Sequence, residues 1–241
     1  MTDISFSDNM ITVINEPAVF VQNLSRTYML GQNQKIEALK NINLQINSGS
    51  FIAVKGRSGS GKTTLLNCLG GLDRPTTGII RIFNRDITKI KDAELTRWRR
   101  EKLGFIFQSF GLLPTLSAFE NVELVLRIAG WVWKKRRDRA QMCVELVGLK
   151  KWLHHRPYEL SGGQQQRLAI ARSLANQPEL ILADEPTGEL DSQTAREILE
   201  LMKTLTIDLK TTIIIASHDP LVDEYVDQIL YLKDGTIFDS P

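Results

Sequence analysis

The sequence has 241 residues, 42% hydrophobic and 24% charged, with 16 glycines and 8 prolines, which is ordinary globular usage and excludes a disordered chain or a fibrous repeat. Thirty Lys plus Arg against 28 Asp plus Glu leave a net charge of +2, so composition gives no reason to expect nucleic acid as a partner. The two cysteines, Cys68 and Cys143, lie outside any CxxC or Cys/His cluster; this excludes a disulfide-stapled miniprotein and fits a reducing, cytoplasmic compartment.

Residues 1–16 carry Asp3 and Asp8 and no long apolar core, so we expect a flexible extension rather than a secretion signal. The β-branched alternation in AVFVQNLSRTY and KIEALKNINLQI predicts half-buried strands opening the folded part. FIAVK then reads as a short buried strand, followed directly by the glycine loop GRSGSG and a helical KTTLLNCLGGL. A turn at Pro75 and Gly78 leads into the strand GIIRIF, and the charged stretch KDAELTRWRREK leads to a strand in LGFIF, ending near Phe107.

From about residue 114 to 176 no β pattern recurs, and SAFENVELVLRIAG, KKRRDRAQMCVELVGL and GQQQRLAIARSLAN all suit amphipathic helices. We therefore expect an inserted helical subdomain within a domain spanning 17–241. LILAD, SQTAREILELMKTL and TTIIIAS resume the strand, helix, strand order, and QILYLKDGTIF closes with two strands around Asp234-Gly235. The alternation predicts an α/β domain with a largely parallel sheet. No apolar run approaches the length that crosses a bilayer.

Residues 56–63, GRSGSGKT, match G-x-x-x-x-G-K-[ST], in which glycines let backbone N–H groups wrap a phosphate chain at a helix N-terminus. The expected cradle comprises Gly56, Arg57, Ser58, Gly59, Ser60 and Gly61. Lys62 adds charge at the terminal phosphates, Thr63 a hydroxyl for Mg²⁺, and Thr64 a further phosphate contact. LILAD ends on Asp184, with Glu185 next. At the carboxyl end of a strand, Asp184 is placed to accept from the Mg²⁺ shell and Glu185 to orient and deprotonate a water. LSGGQ at 160–164, opening another helix, is a second anion site of the same kind. One such cradle suffices for one nucleotide, so the second is expected to serve another chain's.

Together with Gln108 in FIFQSF and the SHD of residues 217–219, these motifs make nearly all of the chain after residue 17 resemble the nucleotide-binding subunit of ABC transporters. The resemblance implies a P-loop NTPase (RecA-like) core with an N-terminal antiparallel β subdomain and an inserted helical subdomain. It implies hydrolysis of Mg-ATP by a head-to-tail homodimer, each ATP lying between one subunit's phosphate loop and Ser161, Gly162, Gly163 and Gln164 of the other's signature. It further implies that Tyr28 stacks on adenine, that Gln108 senses Mg²⁺ and a membrane permease, and that His218 holds the γ-phosphate. Asp191 matches the D-loop. Thr63, Gln108 and Asp184 form the implied metal set.

GGLDRPTTG, GFIFQSFGLLPTLSAFENV and ADEPTGELDS resemble ATPases of the MacB and LolD type, which drive four-helix permease subunits with large extracytoplasmic domains. That implies peripheral attachment at the cytoplasmic face of the membrane and work on lipoproteins, peptides or antibiotics. A non-transport ABC ATPase of DNA repair or translation, or a cell-division subunit, is the alternative; the long insertions or paired domains usual in the former are not seen here. Two departures stand out: Arg57 where many relatives have Pro, and Glu189 where many have Asn. We expect Glu189 to face solvent or a basic group, since at a γ-phosphate it would be repelled. The Trp and basic residues of GWVWKKRRDR are read as a solvated helix start, with lipid headgroups the alternative, and His154 and His155 as solvated.

Overall fold

The computed structural model describes residues 17–31 and 34–238; the extension expected at 1–16 lies outside them. Strands β1 (Pro17–Leu30) and β2 (Gln34–Asn47) open the fold. β3 (Phe51–Lys55) leads through the glycine loop into α1 (Lys62–Leu69). Then come β4 (Thr77–Ile82), β5 (Arg85–Asp86), α2 (Asp92–Lys102) and β6 (Leu103–Ile106). Three helices follow, α3 (Ala118–Ile128), α4 (Trp133–Leu146) and α5 (Gly162–Leu174). The chain ends in β7 (Leu180–Asp184), α6 (Ser192–Leu209), β8 (Thr212–Ser217), β9 (Gln228–Lys233) and β10 (Thr236–Phe238).

β2, β1, β4 and β5 form an antiparallel sheet in that order. The second sheet runs β10-β9-β3-β8-β7-β6, parallel except for the β9–β10 hairpin. Its central strands are near-continuous apolar runs, polar only at their ends, because both faces are covered. Phe51, Ala53, Ile181, Ala183, Ile213 and Ile215 enter a core with α3, α4, α5 and α6. Their alternates Ile52, Val54, Leu180, Leu182, Ile214 and Ala216 enter a second core with α1, α2 and the antiparallel sheet. The helices of the 114–176 region thus share their core with the parallel sheet.

The stretch 91–102, read from sequence only as a charged connection, is the helix α2. Its apolar face is confined to buried Leu95 and Trp98, one turn apart; Asp92 and Glu94 lie in the first turn and Arg99, Arg100 and Lys102 in the last, complementing the helix dipole. The helix expected over residues 62–72 stops at Leu69, because Gly70 and Gly71 follow and Gly71 turns to φ 61°.

Of the basic residues beside the Trp pair, Arg136 pairs with Glu123 of α3. Arg139 donates to the carbonyls of Leu174 (2.7 Å) and Ala175 (3.0 Å) at the end of α5. Arg137 lies over the exposed Trp133 ring at 4.8 Å. Lys134 and Lys135 are exposed. No helix among the described residues is long and apolar enough to cross a membrane.

Candidate functional site

Parallel pairing levels the carboxyl ends of four strands: Ile106 lies opposite Ala183, Asp184 opposite Ala216 and Lys55 opposite Ser217. Ligands of open α/β sheets bind at this edge, and a cleft of about 800 Å³ opens there. Its floor is the loop after β3. Ser60 N–H donates to Arg57 O (3.1 Å), and Gly61, at φ 107°, turns the chain into α1, which begins with no side-chain cap. The first-turn N–H groups of α1 therefore face the cleft without intrahelical partners. The loop needs its glycines: a Cβ on Gly56 would stand 2.2 Å from Leu232 O and one on Gly61 2.5 Å from Ala38 O. Gly59, at φ 79°, is free of neighbours and is required by conformation alone.

Lys62 is drawn back over this loop, its Nζ donating to Gly56 O at 2.8 Å and lying 3.4 Å from Glu185 Oε1. The other Glu185 oxygen is 3.0 Å from His218 Nδ1. Glu185 is thus gripped between a nearly buried cation and an imidazole that is 69% exposed. Its backbone is in the left-handed region (φ 45°), uncommon for Glu, and is held there by Glu185 N–H donating to Ala216 O (2.9 Å). Asp184, one residue earlier, is half-buried. Burial pushes its carboxyl above the ordinary range and Glu185 adds to this, while Thr63 and Lys62 oppose it.

The structure brings Arg57, Ser58, Gly59, Lys62, Thr63 and Thr64 together around the cleft with Gln108, Asp184, Glu185 and His218. Gly56 and Ser60 lie within the loop rather than on the cleft wall. Tyr28 is outside the cleft lining; its hydroxyl donates to Asp73 at 2.6 Å. Burial, then Asp73, raises its pKa against the opposing pull of Arg26 and Thr64.

Ser161 to Gln164 do not line this cleft. They start α5, where Ser161 caps Gln164 N–H at 3.3 Å and the Gln164 side chain accepts from Ser161 N–H at 2.9 Å. Asp191 likewise caps α6, accepting from the N–H groups of Gln193 and Thr194 at 3.0 Å each. Glu189 is exposed. The loop behind Gln108 is fastened to α5: the largely buried Arg172 donates to Phe110 O at 2.8 Å and to Gly111 O, where both residues take positive φ (59° and 62°).

Sequence reasoning missed one wall of the cleft. Ala38 and Lys40 of β2 line it together with Asp234 and Gly235. Gly235 N–H donates to Ser60 O (3.1 Å) and Lys40 N–H to Gly235 O (2.7 Å), so the last hairpin braces the glycine loop. The DG signal marked a turn; what the turn supports depends on pairing across some 170 residues and leaves no local trace.

The residues present fit a nucleotide with its metal. Asp184 Oδ1, on the cleft lining, is a buried polar atom with no partner in the protein, which a bound cation would satisfy. Thr63, Gln108 and Asp184 offer the hard oxygen donors that Mg²⁺ prefers.

The family model of ABC transporters matches residues 39–188. An ABC transporter ATP-binding protein of Methanocaldococcus jannaschii, MJ0796, is 47% identical over 90% of this chain and 94% of its own length. The lipoprotein-releasing system ATP-binding protein LolD of Legionella pneumophila is 42% identical over 93% and 99%. The macrolide export ATP-binding/permease protein MacB of Hahella chejuensis is 44% identical over 93% of this chain but 34% of that longer protein. A dimeric post-hydrolysis structure of the cassette MJ0796 bound to ADP and Pi superposes with a TM-score of 0.84, at 45% identity over 92% of this chain and 97% of that one. The chain belongs to the ABC transporter family, as an ATP-binding and ATP-hydrolysing subunit with the P-loop NTPase fold, related to the MacB and LolD systems. ATP and Mg²⁺ are the ligands of its site.

Proposed function

We propose that this chain hydrolyses ATP as a head-to-tail homodimer that drives a separate membrane permease of the export or extrusion type, from the cytoplasmic face. The observation that carries the catalytic reading is the placement of Glu185 between Lys62 and His218, at the mouth of the phosphate loop. In this reading the loop from Gly56 to Gly61, with Thr64, binds the phosphates, and Lys62 exchanges its loop carbonyls for phosphate oxygens. Thr63, Gln108 and Asp184 would hold Mg²⁺, which when bound would supply neutralising charge to the phosphates. Glu185 orients the attacking water and takes its proton. His218 holds the γ-phosphate and, through its contact with Glu185, keeps the carboxylate aimed.

The dimer reading rests on the helix start of α5. Ser161, Gly162, Gly163 and Gln164 present a second phosphate-binding N-terminus that does not reach the chain's own cleft. A two-fold axis lays it over a second copy's nucleotide, with Asp191 at the join. The solved dimer of MJ0796 supports this. Identity with LolD and MacB supports the permease class, lipoprotein or peptide extrusion, and a domain of 17–241 with its helical part at 114–176.

Mutation of Glu185 to Gln tests the scheme: we expect turnover to fall by about a thousandfold or more while MgATP drives the chain into a stable dimer on size exclusion. A monomer in excess MgATP would refute it. Affinity capture from detergent-solubilised native membranes tests the partner; stimulation of turnover by a captured permease is the expected result, and capture only of nucleic-acid machinery the contrary one.

A further inference from the structure

Just beyond the cleft, three side chains close into a unit around one carboxylate. Asp73 accepts from Arg26 in bidentate fashion, Nε at 2.8 Å and Nη2 at 2.7 Å, and from the Tyr28 hydroxyl at 2.6 Å. The Arg26 guanidinium lies 4.3 Å from the centroid of the Tyr28 ring, covering one of its faces. Asp73 itself is pinned to α1, its N–H donating to Asn67 O at 3.2 Å. The carboxylate thus joins the Tyr28 ring to the helix whose first turn forms the phosphate cradle. Thr64 of the same helix lines the cleft.

We propose that Asp73 and Arg26 are positioning residues for the purine base of ATP. Asp73 fixes the tilt of the Tyr28 ring through its hydroxyl, and Arg26 occupies one face so that the other is left to stack on the base. This rests on the reading of Tyr28 as the base-stacking residue. Two consequences separate it from a merely structural ion pair. First, the unit acts on the base alone and leaves the phosphates untouched. Second, a stacking surface offers no hydrogen bonds to base edges, so it serves adenine and guanine alike.

The test is equilibrium binding of MgATP, MgGTP and magnesium tripolyphosphate, which lacks a base, to the full chain. Asp73→Asn and Arg26→Gln are expected to raise the Kd of both nucleotides about tenfold and to leave that of tripolyphosphate unchanged. Tyr28→Phe, which keeps the ring and loses the hydroxyl, should show a smaller rise in the same direction. Nucleotide affinity unaltered in Asp73→Asn and Arg26→Gln would overturn the proposal, as would equal weakening of tripolyphosphate, which would mean that the pair only supports α1. Tyr28→Ala distinguishes the two levels of failure. If it binds MgATP as the native chain does, the base-stacking reading itself is wrong; if it weakens MgATP while Asp73→Asn and Arg26→Gln do not, only the positioning role falls.

Discussion

At the scale of single residues, the site is assembled from atoms whose surroundings are costly without a ligand. Asp184 Oδ1 is buried and unpartnered, and its carboxyl is pushed upward by burial; Lys62 is turned onto loop carbonyls. Replacing Lys62 with Ala removes the only ammonium on the loop, and the Kd for MgATP should rise at least about a hundredfold, read by titration calorimetry. The cysteines behave oppositely. The Cys68 thiol is pushed up to about 12 by burial and then by Asp73, and burial raises Cys143 as well. Neither should react with an aromatic disulfide reagent at pH 8 in the native chain, whereas both should react in denaturant; prompt native labelling would contradict the packing of α1 and α4.

At the scale of elements, the strand, glycine loop, helix order and the acid pair closing LILAD were legible because each is a local pattern with a local cause. Buried strands are unbroken apolar runs, and phosphate turns need glycine where a Cβ has no room. The α2 helix was less legible, since its apolar face is reduced to Leu95 and Trp98 and high charge masks the period. The bracing of the glycine loop by Gly235 and the tie between Tyr28 and Asp73 arise from pairing between distant segments, which no window of sequence contains. Helix α3 offers a test of a legible signal. Ser117 caps it by accepting from Glu120 N–H, and the Glu120 carboxylate returns the bond to Ser117 N–H at 2.8 Å. Ser117→Ala should cost about 1 kcal/mol, measured by urea unfolding, with no change in nucleotide affinity.

At the scale of the whole molecule, Asp227 joins elements that meet only on folding: its carboxylate accepts from Phe51 N–H (2.8 Å) at the start of β3 and from Lys203 of α6. Burial opposes its ionisation, but Lys203 and the Phe51 N–H outweigh that and hold its pKa below the usual carboxylate range. The stability it contributes is therefore full above about pH 4 and lost as pH falls through the lower, folded value. Asp227→Asn should flatten the acid limb of a stability profile taken below pH 4. The proposed head-to-tail assembly predicts that turnover per chain rises with protein concentration and depends on ATP with a Hill coefficient above 1. Arg172 gives that proposed coupling a material route. One guanidinium grips the loop that carries Gln108 and grows from the helix opened by Ser161 to Gln164, which the proposed dimer lays over the neighbour's nucleotide. In the proposed dimer this one side chain is the rivet between two fuel chambers.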